Sequence, residues 1–390
     1  MNIDQIREAT PGCTDKLFFN SAGSSLPPAS VRQQISEYLH KEEQLGGYKL
    51  ADLLEEEIHG FYREAAQLLN TQADNIAFAS HATDAYAKAL SAVPFRHGDT
   101  ILTSNDDYIS NYLNFLSLQK RFGVHILRVN NLENGDLDLD HFRQMLRQHR
   151  PRLLALTHIP TNSGLVQDAV SVGKLCREFD TLYLLDACQS VGQLPVDVQQ
   201  IGCDFLSATG RKFLRGPRGT GFLYVSQRIL QQDYAPLFVD LRGANWTAAD
   251  QFELQPDAQR FESWEIPYAL LLGLKEAIAY ANRIGLEQIQ AHNQQLIRQL
   301  REGLKSLESV RQFDRGSERA AILTFLKEGK TLAETQAYLD QNQVYYSVNH
   351  KSSAQIDFGL KGIDWAIRLS PHYFNTSAEV EELLELIKKF

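Results

Sequence analysis

The sequence predicts an α/β fold, with a large domain built on a mainly parallel sheet and a smaller α+β domain at the C-terminal end. Between about residues 50 and 225, short apolar segments alternate with amphipathic ones, which is typical of βαβ units. The apolar segments are hydrophobic almost throughout, which indicates strands covered by helices on both faces of the sheet. After about residue 260 this alternation ends and a long helical tract begins.

Six apolar segments are predicted strands, because each is too short for a helix and most are rich in β-branched or aromatic residues. They are 75–80 (NIAFAS), 99–104 (DTILTS), 124–129 (VHILRV), 152–158 (RLLALTH), 181–186 (TLYLLD) and 204–209 (DFLSAT). The segments 82–93, 110–122 and 168–179 are amphipathic and predict helices between them. A further run, GFLYV (221–225), has a composition that suits only a buried segment.

The C-terminal part predicts a different arrangement of elements. A helical tract is expected over about 267–308, followed by strands at AAILTFL, VYYSV and WAIRLS and by a final helix at 379–390. We therefore expect a large domain over 20–260 and a small domain formed by 1–19 and 261–390.

Composition excludes several classes of function. The content of 43% hydrophobic and 22% charged residues predicts an ordinary globular protein rather than a disordered one. A net charge of −9 argues against nucleic acid or an anionic membrane as partner, since both require a basic surface. The first residues contain no apolar signal region, so we expect a cytoplasmic protein. Cys13, Cys176, Cys188 and Cys203 form no C-x-x-C pair, which suggests neither a metal site nor a disulfide framework.

Polar residues follow the predicted strands where ligands of parallel sheets bind, at the carboxyl ends. After 75–80 comes His81-Ala82-Thr83, whose free amides and hydroxyl at a helix start could bind a phosphate; a plain helix N-cap is the alternative. The strand 181–186 ends on Asp186, with Gln189 three residues later. A buried carboxylate is costly unless a cation or strong donor meets it, although Asp186 could instead cap the next helix.

Lys212 follows Asp186 by 26 residues, after the next predicted strand, so the two side chains are expected to be neighbours. A lysine desolvated in such a cleft becomes a nucleophile toward an aldehyde. Taken alone, Lys212 could equally be a surface loop lysine. A lysine, a carboxylate, a glutamine and a phosphate cradle at neighbouring strand ends together match the needs of pyridoxal 5′-phosphate.

The sequence resembles the class V aminotransferase group of fold-type I pyridoxal-phosphate enzymes along almost its whole length. This group includes cysteine desulfurases, cysteine/cystine C–S lyases and isopenicillin N epimerase-like proteins. The most specific likeness lies in LLDACQSVGQLPVD (184–197), DFLSATGRK (204–212) and GPRGTGFLYV (216–225). The resemblance implies a mainly parallel seven-stranded sheet and a homodimer.

The resemblance also implies the residues that hold the cofactor. Lys212 would be the Schiff-base lysine, Asp186 would pair with the pyridine nitrogen, and Gln189 would bond the phenolic oxygen. Four residues are expected to bind the phosphate: Ala82, Thr83, Thr209 and Arg211. Tyr108 is expected to stack on the cofactor ring.

The expected substrate contacts lie in three segments. Arg368, in AIRLSPHYFNT, would bind the substrate α-carboxylate, the alternative being a surface ion pair. Ala22 belongs to FFNSAGSSLPP, which resembles the loop over the active-site mouth, and Asn162, or Thr161 beside it, would contact the phenolic oxygen or the substrate. FESWE (261–265) departs from the desulfurase pattern, which puts in doubt a phosphate contact from the partner subunit.

The reaction type follows from one missing residue. Desulfurases carry a mobile nucleophilic cysteine just after the carboxylate-binding arginine, where this chain has Ser370-Pro371-His372. We therefore expect β-elimination by a C–S lyase acting on a sulfur-substituted L-amino acid, with Lys212 as the base. An aminotransferase or an epimerase is the alternative, and a desulfurase using Cys188 or a non-enzymatic regulator is disfavoured. Four residues could line a pocket for a second acidic group of the substrate, or could instead be surface or interdomain residues: Arg218, Arg242, Arg260 and His350.

Overall fold

The computed structural model describes all residues 1–390, which form 15 α-helices and 15 β-strands. The helices are α1 (Ile3–Glu8), α2 (Ala29–Leu45), α3 (Gly47–Leu53), α4 (Glu55–Leu69), α5 (Ala82–Ala92), α6 (Ile109–Phe122), α7 (Leu139–His149), α8 (Ala169–Glu178), α9 (Val198–Ile201), α10 (Gln227–Leu230), α11 (Tyr268–Ile284), α12 (Leu286–Lys305), α13 (Leu332–Gln341), α14 (Gln355–Lys361) and α15 (Ser377–Lys389). The strands are β1 (Leu17–Phe18), β2 (Ile76–Ala79), β3 (Thr100–Thr103), β4 (His125–Arg128), β5 (Leu153–Thr157), β6 (Leu182–Asp186), β7 (Phe205–Thr209), β8 (Gly221–Val225), β9 (Ala244–Ala248), β10 (Gln251–Leu254), β11 (Val310–Gln312), β12 (Leu323–Lys327), β13 (Val344–Tyr345), β14 (Ser347–His350) and β15 (Trp365–Leu369). None of the helices combines the length and the apolar character needed to cross a membrane.

The large sheet has seven strands in the order β2-β8-β7-β6-β5-β3-β4, which confirms the predicted α/β class. All pairings are parallel except those of β8, which runs antiparallel to both of its neighbours. The carboxyl ends of β5, β6 and β7 therefore meet at one edge of the sheet, where α/β proteins bind their ligands.

Helices cover both faces of this sheet. Alternate residues of β5 belong to two different cores: Leu154 and Leu156 to one of 48 buried residues, Leu153 and Ala155 to one of 22. Because successive strand side chains point to opposite faces, the two cores lie on the two sides of the sheet. This burial on both faces explains why the strand segments are hydrophobic almost throughout.

Gly221, at the start of β8, allows the sheet to approach the first turn of α5. A Cβ at this position would lie 2.6 Å from the carbonyl oxygen of Ala208 and 2.9 Å from the backbone of His81. Only glycine permits so close a contact. The amino end of α5 is thereby held beside the end of β7, which positions one wall of the site described below.

The helical tract predicted over 267–308 is two helices. The chain turns at Gly285, whose φ of +91° ends α11 and begins α12. Helix α11 packs on α2 and α4, and its Leu271 and Leu274 belong to the larger core of the sheet. The residues of α11 therefore pack with the large domain, whereas the sequence assigns them to the small one.

The C-terminal part forms a four-stranded antiparallel sheet in the order β11-β12-β15-β14. Its core also includes Leu17 and Phe19 from the N-terminal segment, and β1 pairs with β13. Asn20 forms a parallel bridge with Ser370, just after β15. The N-terminal segment is thus attached to the small sheet and leads from it toward the edge of the large one.

Candidate active site

A cavity of about 370 Å³ lies at the carboxyl ends of β5, β6 and β7 and beside the start of α5. The sequence-predicted site residues that line it are Ala82, Thr83, Tyr108, Asp186, Gln189, Thr209, Arg211 and Lys212. Larger cavities, of about 680 Å³ near Asp168 and of about 1020 Å³ near Arg150, contain none of the predicted site residues. The cavity at the strand ends is therefore the candidate active site.

Lys212 is buried in the loop after β7 and forms no ion pair. Burial lowers the pKa of its ammonium group, an effect that the nearby Cys188 and Asp186 oppose. Its Nζ lies 5.8 Å from the centroid of the Tyr108 ring. A lysine with a lowered pKa has a larger neutral fraction at physiological pH, so it can act as a nucleophile or as a base.

Asp186 ends β6 as a buried carboxylate. Its Oδ2 accepts a hydrogen bond of 2.9 Å from Nδ2 of Asn111, and its Oδ1 accepts one of 2.9 Å from the backbone N–H of Cys188. These donors are neutral, and no lysine or arginine nitrogen lies within ion-pair distance of the carboxylate. A buried carboxylate of this kind suits a cationic ligand group.

Gln189 links the cavity to the N-terminal segment. Its Nε2 donates to the carbonyl of Ala22 at 3.1 Å and to Oγ1 of Thr161 at 3.2 Å, whereas its buried Oε1 has no partner. Ala22 is itself held by a bond of 2.9 Å from its N–H to Oγ of Ser370. The unpartnered oxygen is an acceptor available to a hydroxyl group of a ligand.

The start of α5 forms an anion-binding wall. His81 caps the helix by accepting a hydrogen bond from the N–H of Asp84, and the amides of Ala82 and Thr83 belong to the first turn, which has no acceptor within the helix. Arg211 lies in the same cavity and donates to the carbonyl of Gly23. Free amides and a guanidinium together favour a phosphate.

Arg368 lies on β15 next to this cavity and is buried. Its guanidinium donates to Oγ1 of Thr161 and, at 3.1 Å, to Oγ of Ser347, while its buried Nε has no partner. No carboxylate of the chain neutralises it. Burial, reinforced by the nearby Arg211, lowers the pKa of Arg368 to about 10, so the group stays charged at neutral pH and can bind a carboxylate.

Asn162 does not line the cavity, whereas Thr161 beside it does. The Oδ1 of Asn162 accepts from Asn349 at 2.9 Å, and its carbonyl accepts from Thr324 and Lys361. These bonds direct Asn162 toward the small sheet. Of the two residues that the sequence leaves open, Thr161 is the one next to the site.

Of the four residues that could bind a second acidic group of the substrate, the structure places one in the cavity and three outside it. Arg218 lines the cavity and has no carboxylate partner. Arg242 pairs with the fully buried Glu262 of FESWE, and Arg260 donates to the backbone carbonyls of Leu230, Gln232, Tyr234 and Gln255. His350 is exposed at the end of β14. Only Arg218 is therefore available to a ligand in this cavity.

The sequence did not reveal Asn111 or Thr157 as parts of the site. Asn111 bonds Asp186, and Thr157 lines the cavity at the end of β5. The only sequence signal for Asn111 is its place in the first turn of a helix that follows a strand end. Nothing in the sequence pairs it with Asp186, which is 75 residues away.

The polar groups of the cavity match those of pyridoxal phosphate. Lys212 offers an amine for the aldehyde and Asp186 a carboxylate for the ring nitrogen. The unpartnered Oε1 of Gln189 suits the phenolic hydroxyl, and the first turn of α5 with Arg211 suits the phosphate. The residues present therefore fit this cofactor.

Comparison with known proteins gives one family for the chain. The model of the family "Aminotransferase class-V" matches residues 17–383. A probable cysteine desulfurase of Methanothermobacter thermautotrophicus is 28% identical over 395 residues, covering 100% of this chain and 98% of that protein. A probable cysteine desulfurase of Pyrococcus abyssi is 24% identical over 400 residues, with 99% and 97% covered.

Solved structures show the same fold. The apo cysteine desulfurase of Thermococcus onnurineus NA1 superposes with a TM-score of 0.92 at 23% identity, covering 100% of this chain and 98% of that one. The cystine C–S lyase C-DES, in complex with its reaction product cysteine persulfide, superposes with a TM-score of 0.88 at 21% identity, covering 98% and 99%. Proteins of both names thus share this architecture.

Proposed function

Because the chain belongs to the class-V aminotransferase family of pyridoxal-phosphate enzymes, we propose that it is a C–S lyase. In this proposal it removes sulfur from a sulfur-substituted L-amino acid by β-elimination. The observation that carries the proposal is the segment Ser370–Phe374, which follows Arg368 and provides no thiol.

The segment Ser370–Phe374 is buried throughout and bound to the rest of the protein. The N–H of Ser370 donates to the carbonyl of Phe19 at 2.7 Å, and the His372 ring shares a hydrogen bond of 2.7 Å with the carbonyl of Phe213. A nucleophile that must reach the substrate's sulfur and then withdraw needs a mobile segment. The contacts of Ser370–Phe374 argue against that role, and its residues contain no cysteine.

The four cysteines of the chain are poor alternatives. Cys13, Cys176 and Cys203 are buried outside the cavity. Cys188 lines the cavity, but burial and the neighbouring Asp186 raise the pKa of its thiol well above the usual value. Since the thiolate is the nucleophilic form of cysteine, Cys188 is poorly suited to attack sulfur.

The residues of the cavity can carry out an elimination. When bound, pyridoxal phosphate supplies an aldehyde that takes up the substrate's amino group and a ring that withdraws electrons from Cα. Arg368 would hold the substrate carboxylate, which orients the Cα–H bond toward Lys212. The lowered pKa of Lys212 lets its neutral amine accept the α-proton. Sulfur then leaves with the electron pair of its bond to Cβ, and the remaining fragment hydrolyses to pyruvate and ammonia.

Desulfuration is the second candidate reaction, and it is favoured because both relatives are named probable cysteine desulfurases. It would leave alanine rather than pyruvate, because a protein thiol would take the sulfur to form a persulfide, and the electron pair of the C–S bond would stay on Cβ, which a proton completes to a methyl group. Transamination and epimerisation would also use Lys212 as the base, so the same fold could carry out either reaction. The products distinguish all four reactions.

The purified enzyme is expected to convert L-cystine or an S-substituted L-cysteine into equal amounts of pyruvate and ammonia, without alanine. The measurement follows pyruvate, ammonia, alanine, optical rotation and amino-group transfer to a keto acid in parallel. Omission of the sulfur amino acid is the control. L-Cysteine is assayed in parallel, because a desulfurase needs a substrate with a free thiol. Alanine as the main product from L-cysteine would establish the desulfurase, and transfer to a keto acid or loss of optical activity alone would establish an aminotransferase or an epimerase.

A homodimer is part of the proposal, supported by an exposed apolar patch around the hairpin β9–β10. We define this hairpin patch as Leu237, Phe238, Leu241, Trp246, Phe252 and Trp264. The side chains of Phe238 and Trp246 are 87% and 79% exposed, which is costly for large apolar residues unless another surface covers them. A second copy of the chain is the partner expected from the family.

Light scattering is expected to show a dimer at working concentration, and the double variant F238E/W246E is expected to be monomeric. Two charges introduced into an apolar interface formed by this patch would have to be buried without partners. The matched control is L360E, which places a charge on an exposed leucine of α14, outside the patch. A monomeric wild type, or a dimeric F238E/W246E, would contradict this prediction.

A further inference from the structure

A buried carboxylate, Asp186, and a partly buried one, Asp107, are joined beside the active-site cavity by one side-chain amide. The Nδ2 group of Asn111 donates to Oδ2 of Asp186 at 2.9 Å and to Oδ1 of Asp107 at 3.1 Å. Asn111 is only 2% exposed. Because an amide –NH₂ group has two hydrogens, these two bonds use both of them and leave the side chain one orientation.

Asp107 is held in turn by three further donors. Its Oδ1 accepts from Oγ1 of Thr157 and from the N–H of Tyr108, both at 2.7 Å, and its Oδ2 accepts from Oγ1 of Thr103 at 2.5 Å. Burial raises the pKa of Asp107 to about 6, so the carboxylate is still mainly ionised at neutral pH and can accept these bonds. It is therefore a fixed acceptor against which Asn111 is oriented.

Local sequence explains why Asn111 reaches both groups. Asp107 precedes Tyr108, the N-cap of α6, and Asn111 lies four residues after Asp107, in the first turn of the helix. Asp107 lies just before the start of the helix and Asn111 in its first turn, so the two side chains are close enough to form a hydrogen bond. The side chain of Asn111 is turned toward the end of β6, where Asp186 lies.

Asp186 is thereby held on both of its oxygens. Asn111 binds Oδ2, and the backbone N–H of Cys188 binds Oδ1 at 2.9 Å. The backbone bond fixes one oxygen but allows the carboxylate to rotate about it. The second bond, from a side chain that is itself fixed by Asp107, removes this rotation.

We infer that Asn111 is a positioning residue, which orients Asp186 toward the ring nitrogen of pyridoxal phosphate by bridging it to Asp107. Asn111 does not line the cavity, so it acts on the cofactor through the residues that it bonds, of which Asp186 lines the cavity and Asp107 does not. The inference depends only on the binding of this cofactor and not on β-elimination. The inference can therefore be wrong while the proposed function is right, and the proposed function can be wrong while the inference is right.

The test compares N111A with the wild type by titrating apoenzyme with pyridoxal phosphate and recording visible absorbance and visible circular dichroism. We expect the dissociation constant to rise about tenfold, as for loss of a hydrogen bond to a charged group. We also expect the dichroism per bound cofactor to change, since this signal depends on how the ring is held. D107N should act in the same direction, because its new –NH₂ group would face the donors that now bind the carboxylate.

The matched control is N75A. Asn75 is equally buried, in the same domain, and its Nδ2 donates at 2.7 Å to the carbonyl of Val225, outside the cavity. N75A should keep the dissociation constant and the dichroism of the wild type. If N75A changes them as much as N111A does, or if N111A binds the cofactor as the wild type does with unchanged dichroism, the inference is wrong.

A double-mutant cycle shows whether Asn111 acts through Asp186. Once Asp186 is replaced in D186N, removing Asn111 should weaken cofactor binding little further. An effect of N111A in the D186N background equal to its effect in the wild type would mean that Asn111 acts independently of Asp186, and would overturn the inference.

Discussion

Replacing Lys212 with alanine is expected to abolish turnover and to remove the absorbance band that arises from the covalent bond between the lysine and pyridoxal phosphate. Lys212 is the only lysine that lines the cavity. In the proposed mechanism its amine would hold the cofactor through the aldehyde and would act as the base at the substrate's Cα. Loss of its amine removes both roles, and no other lysine of the cavity can replace it. Absorbance spectra and product assays of the purified variant provide the measurement.

The matched control for K212A is K327M, which also removes a buried lysine. The Nζ of Lys327, at the end of β12, donates to the carbonyl of Ile387 in α15 at 2.8 Å, outside the cavity. K327M should retain the visible absorbance even if it is less stable. A K212A protein that keeps the absorbance band and turns over substrate would show that another residue binds the cofactor.

Replacing Arg368 with alanine is expected to lower kcat/KM about 30-fold or more. Truncating one partner of a buried, hydrogen-bonded charge pair costs about 2–5 kcal/mol, and every 1.4 kcal/mol corresponds to a factor of about ten. The loss should appear mainly in KM, because Arg368 is assigned to the substrate carboxylate and not to the cofactor. Steady-state kinetics measure the effect, while the absorbance of the bound cofactor should remain.

Two further variants test the assignment of Arg368. R368K should recover only part of the loss, since an ammonium group cannot bind a carboxylate through two parallel hydrogen bonds. R283A, which removes an exposed arginine paired with Glu276 on α11, should behave as the wild type. Wild-type kinetics in R368A would mean that another cation, such as Arg218, binds the substrate carboxylate.

The large sheet and the central pair Asp186 and Lys212 could be predicted from the sequence because both depend on local patterns. Strands buried on both faces appear as short apolar runs, and polar residues directly after such runs mark the edge where ligands bind. The spacing from Asp186 to Lys212 spans one strand and its connections, so their proximity follows from the topology.

The remaining parts of the site depend on tertiary contacts that no local pattern indicates. Asn111 reaches Asp186 across 75 residues, and Arg368 reaches Thr161 across 207. The hairpin β9–β10 was not predicted because its apolar residues, such as Trp246 and Phe252, are exposed rather than packed in a core. The division of 267–308 into two helices depends on the φ of Gly285, because an isolated glycine alone does not show whether a helix ends there.

The ratio of pyruvate to alanine formed from L-cysteine and from L-cystine, in the wild type and in C188A, tests the central claim most directly. If sulfur leaves by elimination and no protein thiol takes part, both proteins should yield pyruvate without alanine at nearly the same rate. C203A removes a buried thiol outside the cavity, so it controls for the loss of packing that a cysteine-to-alanine change causes in itself. Accumulation of alanine in the wild type and in C203A, but not in C188A, would contradict the account and identify a desulfurase with Cys188 as nucleophile.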